Sequence, residues 1–201
     1  MPAYAPPRCR RRAVASRWRG HRPGQYVRLG VDVDGVRQWR TYSLTWPADR
    51  ADGCIAVTVT AVPDGVVSGH LVRRGRVGSL VDLDQGAGDL VRPAVAPAKA
   101  LFVTAGSGIT PVMGMLRAAL DDLDDVVVVH SARTPADVVF GGELRMLDGL
   151  GRIRLVERHT ATDSRLDRAQ LLELVPDLAE RETWACGPTG LLDEVEEMYA
   201  D

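Results

Sequence analysis

The chain is poor in the residues that hold a metal cluster or a disulfide framework. Its 201 residues include only three cysteines, Cys9, Cys54 and Cys186, which lie far apart in the sequence. An iron–sulfur cluster needs four thiolates at close spacing, so the sequence predicts neither a cluster nor another metal site. Three scattered cysteines in a chain without a signal peptide also predict reduced thiols.

Long apolar runs are absent as well. No segment of the sequence approaches the roughly 20 apolar residues of a membrane-spanning helix. No secretory hydrophobic region follows the first residues either. The sequence therefore predicts a chain without a transmembrane segment, and we expect it in the cytoplasm.

Charge is unevenly distributed along the chain. Lys99 is the only lysine among 25 basic residues, and the first 22 residues carry seven arginines and no acid. The rest of the chain carries 18 basic and 27 acidic side chains. We interpret residues 1–20 as a disordered basic arm, because they are rich in Pro and Arg and lack hydrophobic periodicity. The acidic remainder predicts no nucleic-acid partner.

The first half of the chain has the alternation and turns of a small antiparallel barrel. Strands are predicted over residues 25–33, 37–44, 55–62 and 79–83, with a short helical turn over 68–74. The dipeptide Asp34-Gly35 between the first two strands is a signal for a tight hairpin.

The hydrophobic period changes beyond a Pro- and Ala-rich linker at residues 93–99. Strands are predicted over residues 100–104, 126–130, 153–156 and 183–186, and helices over 111–122, 140–147, 167–174 and 189–199. Strands that alternate with helices predict a doubly wound parallel sheet. The predicted fold class is therefore β followed by α/β.

Three short motifs in a fixed order carry the functional signal. Arg40-Thr41-Tyr42-Ser43 comes first, then Thr104-Ala105-Gly106-Ser107-Gly108-Ile109-Thr110-Pro111, and then Cys186-Gly187-Pro188. Together they resemble the ferredoxin–NADP reductase family, and within it most closely an actinobacterial branch of flavodoxin/ferredoxin reductases. The resemblance implies an FAD-binding antiparallel β-barrel over residues 21–95 and an NAD(P)-binding domain over residues 99–201.

For the first motif the resemblance implies a cofactor-binding role of all four residues. On a strand, Arg40 and Tyr42 share one face, and Thr41 and Ser43 share the other. In the family the arginine pairs with flavin phosphate, the tyrosine packs on the isoalloxazine, and the serine hydrogen-bonds near flavin N5. A guanidinium matches a phosphate and an aromatic ring covers a π system, so these residue types suit the roles. Ser43 is accordingly a predicted catalytic residue.

A second flavin element is Gly65-Val66-Val67-Ser68, which matches the Gly-x-x-Ser of the family. Free backbone N–H groups at the start of a helix bind a pyrophosphate without a basic side chain. We expect Ser68 to be the N-cap of this helix. A pyrophosphate site at this position favours FAD over FMN.

The second motif follows a buried strand and opens a helix, as a dinucleotide-binding loop must. Gly106 and Gly108 would let phosphate approach the backbone, and Pro111 suits the first helical turn. The resemblance implies that the cofactor is bound by Thr104, Gly106, Ser107, Gly108, Ile109, Thr110 and Pro111.

Two further positions complete the predicted nicotinamide site. Ser131 and Arg133 follow the next strand, where the adenosine ribose is read, and an arginine there favours NADPH. NADH-using relatives also carry such an arginine, so both cofactors remain open. In the family the cysteine of Cys186-Gly187-Pro188 lies beside nicotinamide C4. Cys186 is therefore a predicted catalytic residue that positions the ring and need not be a nucleophile.

The chain departs from the family at both ends. Members of the branch usually continue into a C-terminal [2Fe–2S] domain, whereas this chain stops at Asp201. We therefore expect a separate ferredoxin or other one-electron acceptor, such as that of an oxygenase or desaturase system. Residues 1–19 show no alternating run for the first barrel strand, so the barrel is expected to lack it. Two alternatives stay open: an NADH-dependent oxygenase reductase component, and a truncated, non-catalytic nucleotide-binding remnant.

Overall fold

A computed structural model describes residues 18–48 and 53–200 of the chain. The chain divides into two compact units, of which the first contains residues up to 92 together with 113–118. The second unit contains residues 93–112 and the residues from 119 onward. Residues 1–17 of the predicted basic arm, with Cys9, lie outside the described residues.

Seven strands and five α-helices follow one another in this part of the chain. In chain order they are β1 (Tyr26–Val33), β2 (Val36–Ser43), α1 (Val66–Arg74), β3 (Asp82–Leu83), β4 (Lys99–Ala105), α2 (Ile109–Ala119), β5 (Asp125–Ala132), α3 (Gly141–Gly149), β6 (Arg154–His159), α4 (Arg168–Leu174), β7 (Glu182–Cys186) and α5 (Thr189–Tyr199). None of these helices is both long and apolar enough to cross a bilayer.

The first unit is built on a hairpin. Strands β1 and β2 pair antiparallel in continuous register from Tyr26↔Ser43 to Val33↔Val36. The two residues between them, Asp34 and Gly35, have φ of 50° and 81°. Positive φ at both central positions is the geometry of the tight turn that matches the twist of two strands, so the predicted hairpin is confirmed.

Strand β3 adds to the other edge of β1 and gives the sheet order β2-β1-β3. One face of this sheet packs with α1 in a core of Leu29, Val31, Val33 and Val67. The strand predicted over residues 55–62 is wrong, since Val57 forms only an isolated bridge with Leu44. The strand predicted over 79–83 is shorter and covers Asp82–Leu83.

The second unit is a four-stranded parallel sheet in the order β6-β5-β4-β7. The parallel α/β fold predicted from the sequence is confirmed. Five consecutive residues of β4 and seven of β5 are buried, as expected for strands covered on both faces. The chain runs from β4 to β5 and then to β6, each strand next to the previous one on the same side. Strand β7 then lies on the other side of β4. The carboxyl ends of β4 and β7 therefore lie side by side at the point where the strand order reverses, which is where open α/β sheets bind ligands.

An ion-pair network joins the elements at the amino end of this sheet. The buried guanidinium of Arg181 lies 2.8 Å from Asp125 Oδ2 and 2.9 Å from Asp177 Oδ1. Lys99 Nζ lies 2.9 Å from Asp177 Oδ2 and 2.6 Å from Glu180 Oε2. Hydrogen bonds from Arg181 and Lys99 lower the pKa of the Asp177 carboxyl well below its ordinary value. The network ties the starts of β4, β5 and β7 together.

Candidate functional site

The glycine-rich loop after β4 combines an open surface with a fixed turn. Residues Gly106–Gly108 form a single 3₁₀ turn that leads into α2. Gly106 has a φ of 55°, and a Cβ added there would meet no atom within 4 Å. Thr110 Oγ1 donates a hydrogen bond of 2.7 Å to the carbonyl of Ser107, which stabilises the turn. Glycine at position 106 adopts this positive φ without strain, and the open space beside it can accept a ligand.

The two predicted nucleotide motifs are in direct backbone contact. A Cβ at Gly108 would lie 2.0 Å from the carbonyl oxygen of Cys186 and 3.0 Å from the amide nitrogen of Gly187. A Cβ at Gly187 would lie 3.3 Å from the amide nitrogen of Ala105. Only glycine at position 108 allows this packing, so the loops after β4 and β7 form one continuous surface.

Cys186 and the start of α5 form the second half of this surface. Cys186 is half-buried, and burial raises the pKa of its thiol. The sulfur is therefore a protonated thiol at neutral pH, which suits a positioning group better than a nucleophile. Pro188 precedes α5, and no side chain caps the start of that helix. Its first N–H groups and the N-terminal end of the helix dipole favour an anionic group nearby.

Thr104 is turned away from this surface. It is fully buried, and its Oγ1 lies 2.8 Å from His130 Nδ1 and 3.4 Å from the carbonyl oxygen of Val129. The hydroxyl therefore faces the neighbouring strand β5. Any role of Thr104 in cofactor binding acts through its position two residues before Gly106. Three further predicted residues, Ile109, Thr110 and Pro111, are buried at the start of α2.

Polar atoms without partners mark the end of β5. Ser131 is 7% exposed, and its buried Oγ has no hydrogen-bond partner among the described residues. Ser131 is paired in register with Arg158 of β6, whose buried Nε also lacks a described partner. The guanidinium of Arg158 is held by a hydrogen bond of 3.2 Å from Nη2 to the carbonyl of Ser164. Arg133 is exposed three residues beyond His130.

The motif analysis missed Arg158. In an alternating strand it looks like one charged residue among several, since β6 reads Arg-Leu-Val-Glu-Arg-His. The register of β5 and β6, which no local pattern gives, places it beside Ser131 on one face of the sheet. A buried hydroxyl next to a guanidinium suits a phosphate or ribose group.

The flavin motif divides between the two faces of the antiparallel sheet, as its spacing predicts. Tyr42 and Arg40 pair with Val27 and Leu29 and share their core-facing side, whereas Thr41 and Ser43 lie on the other side. Arg40 is exposed and donates a 2.7 Å hydrogen bond from Nη1 to the carbonyl of Trp39. Tyr42 packs against the apolar core, and burial raises the pKa of its phenol although the charge of Arg40 acts in the opposite direction.

Helix α1 brings the second flavin element to the same face. The helix begins at Val66 with Gly65 as its N-cap, and no side chain caps it. The prediction that Ser68 is the N-cap is wrong, because the helix begins two residues earlier. Ser68 Oγ instead accepts a hydrogen bond of 3.3 Å from the amide of Val62. Val67 and Tyr42 pack in one apolar cluster, so both flavin elements lie on one side of the sheet.

A cleft of about 270 Å³ opens beside the start of α1. Its lining includes Gly65 and Val66, the basic residues Arg73 and Arg74, and the carboxylates of Asp34 and Asp64. The uncapped N–H groups at the start of α1 fit an anionic group such as a pyrophosphate, whereas Arg73 and Arg74 belong to the last turn of the helix. The residues of the first unit therefore suit a flavin dinucleotide, and those of the second unit suit a nicotinamide dinucleotide.

Comparison with known families agrees with this division. Residues 15–91 match the oxidoreductase FAD-binding domain, and residues 102–197 match the oxidoreductase NAD-binding domain. The two cofactor classes predicted from the sequence are those for which these families are named.

Curated relatives match both units in one alignment. An NADPH oxidoreductase of Mycobacterium tuberculosis is 46% identical over 187 residues, which cover 90% of this chain and 49% of the relative. A glycine betaine monooxygenase reductase subunit of Chromohalobacter salexigens is 32% identical over 192 residues, which cover 88% of this chain and 51% of the relative. The chain thus spans about half the length of these relatives.

Solved structures show the same fold at low sequence identity. A ferredoxin NADP⁺ reductase from Neisseria gonorrhoeae, solved with bound FAD and NADP, superposes with a TM-score of 0.72 at 21% identity. The match covers 92% of this chain and 81% of the other. With both domain families matched in the order that the motifs predict, the chain belongs to the ferredoxin–NADP reductase-like superfamily.

Proposed function

We propose that this chain is an FAD-dependent NAD(P)H oxidoreductase that takes hydride from NADPH and passes electrons to a separate iron–sulfur or haem protein. The contact of Gly108 with the backbone of Cys186 and Gly187 supports this function most strongly. It joins a loop suited to phosphates and a strand end suited to a nicotinamide at the reversal point of the sheet.

The residues of the chain divide the work of binding between the two units. Arg40 and the start of α1 hold the phosphates of FAD, and Tyr42 covers its ring system. Gly106 and Gly108 admit the phosphates of the dinucleotide, while Cys186 sets the position of the nicotinamide ring as a neutral thiol. When bound, FAD supplies the ability to accept two electrons as a hydride and to release them singly. Ser43 donates a hydrogen bond beside the reacting position of the flavin.

The preference for NADPH over NADH belongs to the same proposal. Ser131, Arg133 and Arg158 place a hydroxyl and two guanidinium groups around the end of β5, and such groups stabilise a 2′-phosphate. Replacing Arg133 or Arg158 with glutamine should lower the ratio of kcat/KM for NADPH to that for NADH about tenfold, the effect of one charge-assisted contact. An unchanged ratio in both variants would exclude these two arginines as the source of the preference, and a preference of the unaltered chain for NADH would support the NADH-dependent alternative.

The protein that accepts the electrons is the second part of the proposal that needs a test. The relative from Chromohalobacter salexigens is a monooxygenase reductase subunit, which favours an oxygenase system as the destination of the electrons. Reduction of a purified [2Fe–2S] ferredoxin, followed by its absorbance under anaerobic conditions, tests this part. A chain that oxidises NADPH with ferricyanide but never reduces such a ferredoxin would require another class of acceptor.

An absorbance spectrum of the purified chain with FAD, before and after NADPH, tests the core of the proposal. Retained flavin bands that bleach on NADPH are expected. Gly108→Ala should keep the flavin but need about a hundredfold more NADPH, because its Cβ clashes with a backbone carbonyl. Gly142→Ala is the matched control, since a Cβ there meets nothing within 4 Å. Protein that retains no flavin would support the non-catalytic alternative instead.

A further inference from the structure

A row of side chains crosses the parallel sheet directly below the candidate nucleotide surface. Cys186, Thr104 and His130 are register partners on β7, β4 and β5, and they project to one face. Each of the three is followed closely by a residue of the candidate site. Gly187 comes one residue after Cys186, Gly106 two residues after Thr104, and Arg133 three residues after His130. This row is the last one that the three strands share.

The polar pair in this row is out of place in its surroundings. The residues before His130 on β5 are four consecutive buried valines, and those before Thr104 on β4 are almost entirely apolar. His130 and Thr104 are both fully buried. Burying polar groups costs stability unless they are hydrogen-bonded, so an apolar pair would fill this position at lower cost. The 2.8 Å contact between Thr104 Oγ1 and His130 Nδ1 offsets part of this cost, whereas the buried Nε2 of His130 has no partner among the described residues.

The bond is one between neutral groups. Burial lowers the pKa of His130 to about 4, so the imidazole is uncharged at neutral pH. Glu157 of β6 is the register partner of His130 on its other side, and its charge only partly opposes this effect. A neutral imidazole can accept the hydroxyl proton of Thr104 or donate its own to the hydroxyl. Either arrangement fixes the distance between β4 and β5 at the end of the sheet.

We infer that His130 is a positioning residue that, through its hydrogen bond to Thr104, holds the phosphate-binding loop after β4 in register with the ribose-reading end of β5. This inference rests on the proposed function, because it names how one sheet keeps two parts of the same dinucleotide site aligned. His130 is buried below the site and touches no ligand itself. Its loss moves the Gly106 loop relative to Ser131 and Arg133 and weakens binding of the whole dinucleotide.

Binding of 2′,5′-ADP to the chain loaded with FAD tests the inference, because this probe contacts only the ribose-reading and phosphate-binding parts. His130→Leu and Thr104→Val should each raise its Kd about tenfold. His130→Asn and Thr104→Ser, which keep a polar atom near the bond, should recover most of the affinity. In the double variant His130→Leu/Thr104→Val, the Kd should rise no further than in either single variant, because both remove the same bond.

Kinetics separate positioning from general destabilisation. In NADPH oxidation with ferricyanide, His130→Leu should raise KM about tenfold and change kcat less than twofold. Val128→Ala is the matched control, because Val128 lies on the same face of β5 two residues earlier and is equally buried. It should lower stability and leave KM unchanged.

The outcomes are distinguishable. If the unaltered chain binds neither 2′,5′-ADP nor NADP⁺, the proposed function fails. If it binds them and His130→Leu binds equally well, or if Val128→Ala raises KM to the same extent, only the positioning role of His130 is overturned. Independent, additive effects of the two single variants would overturn it as well.

Discussion

In the parallel sheet the candidate site is set by backbone packed against backbone, whereas in the antiparallel sheet it is set by side chains and one uncapped helix start. Gly108 brings two loops into contact without any side chain. In the first unit, by contrast, Arg40 is exposed, and the apolar side chains of Val77 and Leu80 are 97% and 93% exposed. The parallel sheet therefore presents a preformed surface, and the antiparallel sheet gains more order from its ligand.

Hydrogen exchange, which resolves the two units separately, is the measurement that sharpens this contrast. FAD should slow exchange in β1, β2 and α1 more than NADP⁺ slows it in β4, β5 and β7. Equal protection of both units before any ligand is added would remove the contrast.

The largest expected effect is in the ion-pair network of the second unit. Arg181→Met leaves the carboxylates of Asp125 and Asp177 without their guanidinium and should destabilise this unit by about 3–5 kcal/mol. Urea unfolding followed by hydrogen exchange of β4, β5 and β7 measures the loss in this unit. Arg154→Met is the control, because among the residues that the structure describes its exposed guanidinium donates only to the carbonyl of Leu174. A loss no greater than that of the control would contradict a stabilising role of the network.

The next effect is a pH dependence confined to the parallel sheet. The pKa of His130 falls from an ordinary 6.5 to about 4 in the folded chain, so between these values the unfolded chain binds more protons. The contribution of His130 to the free energy of unfolding is therefore fully present above pH 6.5. It decreases as the pH falls, and about 3 kcal/mol is lost near pH 4. His130→Leu should flatten this slope. An equally steep slope in that variant would assign the acid sensitivity to other groups.

The smallest effect tests how tightly the first unit is packed. Gly24 has a φ of 96°, and a Cβ there would lie 2.0 Å from the carbonyl oxygen of Leu90. Gly35 has a similar φ of 81° but open space around it. Gly35→Ala should cost about 1–2 kcal/mol for backbone strain alone, and Gly24→Ala about 1–3 kcal/mol more for the clash. Equal losses in denaturant unfolding would show that this unit yields to accommodate the methyl group.

Local sequence patterns predicted much of the fold, and their failures have a physical cause. Asp34-Gly35 fixed the hairpin because only residues that tolerate positive φ close such a turn. The segment 55–62 alternates like a strand, yet a strand also needs a partner along its length, and Val57 finds one only at Leu44. Helix α1 begins at Val66 with Gly65 as its N-cap and without a capping side chain. The sequence pattern indicated Ser68 instead, because serine is a preferred N-cap residue.

The candidate site shows the same limit. The glycine motifs were recognisable because the chemistry of phosphate binding restricts them to a few residue types. The strand partners of the predicted residues were not recognisable from the sequence. The pairing of Thr104 with His130 and of Ser131 with Arg158 depends on strand register. Register across a parallel sheet joins residues that are 26 or 27 positions apart, beyond the reach of any local period.

Lys99 carries the only side-chain amine of the chain, so among the side chains it is the single target of an amine-directed reagent. A free α-amino group reacts with the same reagents. Lys99 begins β4, and the Gly106 loop follows the other end of that strand, about 20 Å away at the usual rise per residue. Hydrogen bonds to Glu180 and then to Asp177 raise the pKa of its ammonium, so amine-directed reagents meet a protonated, poorly nucleophilic group and react slowly. A fluorophore attached there at elevated pH would lie at the opposite edge of the sheet from the candidate nucleotide surface.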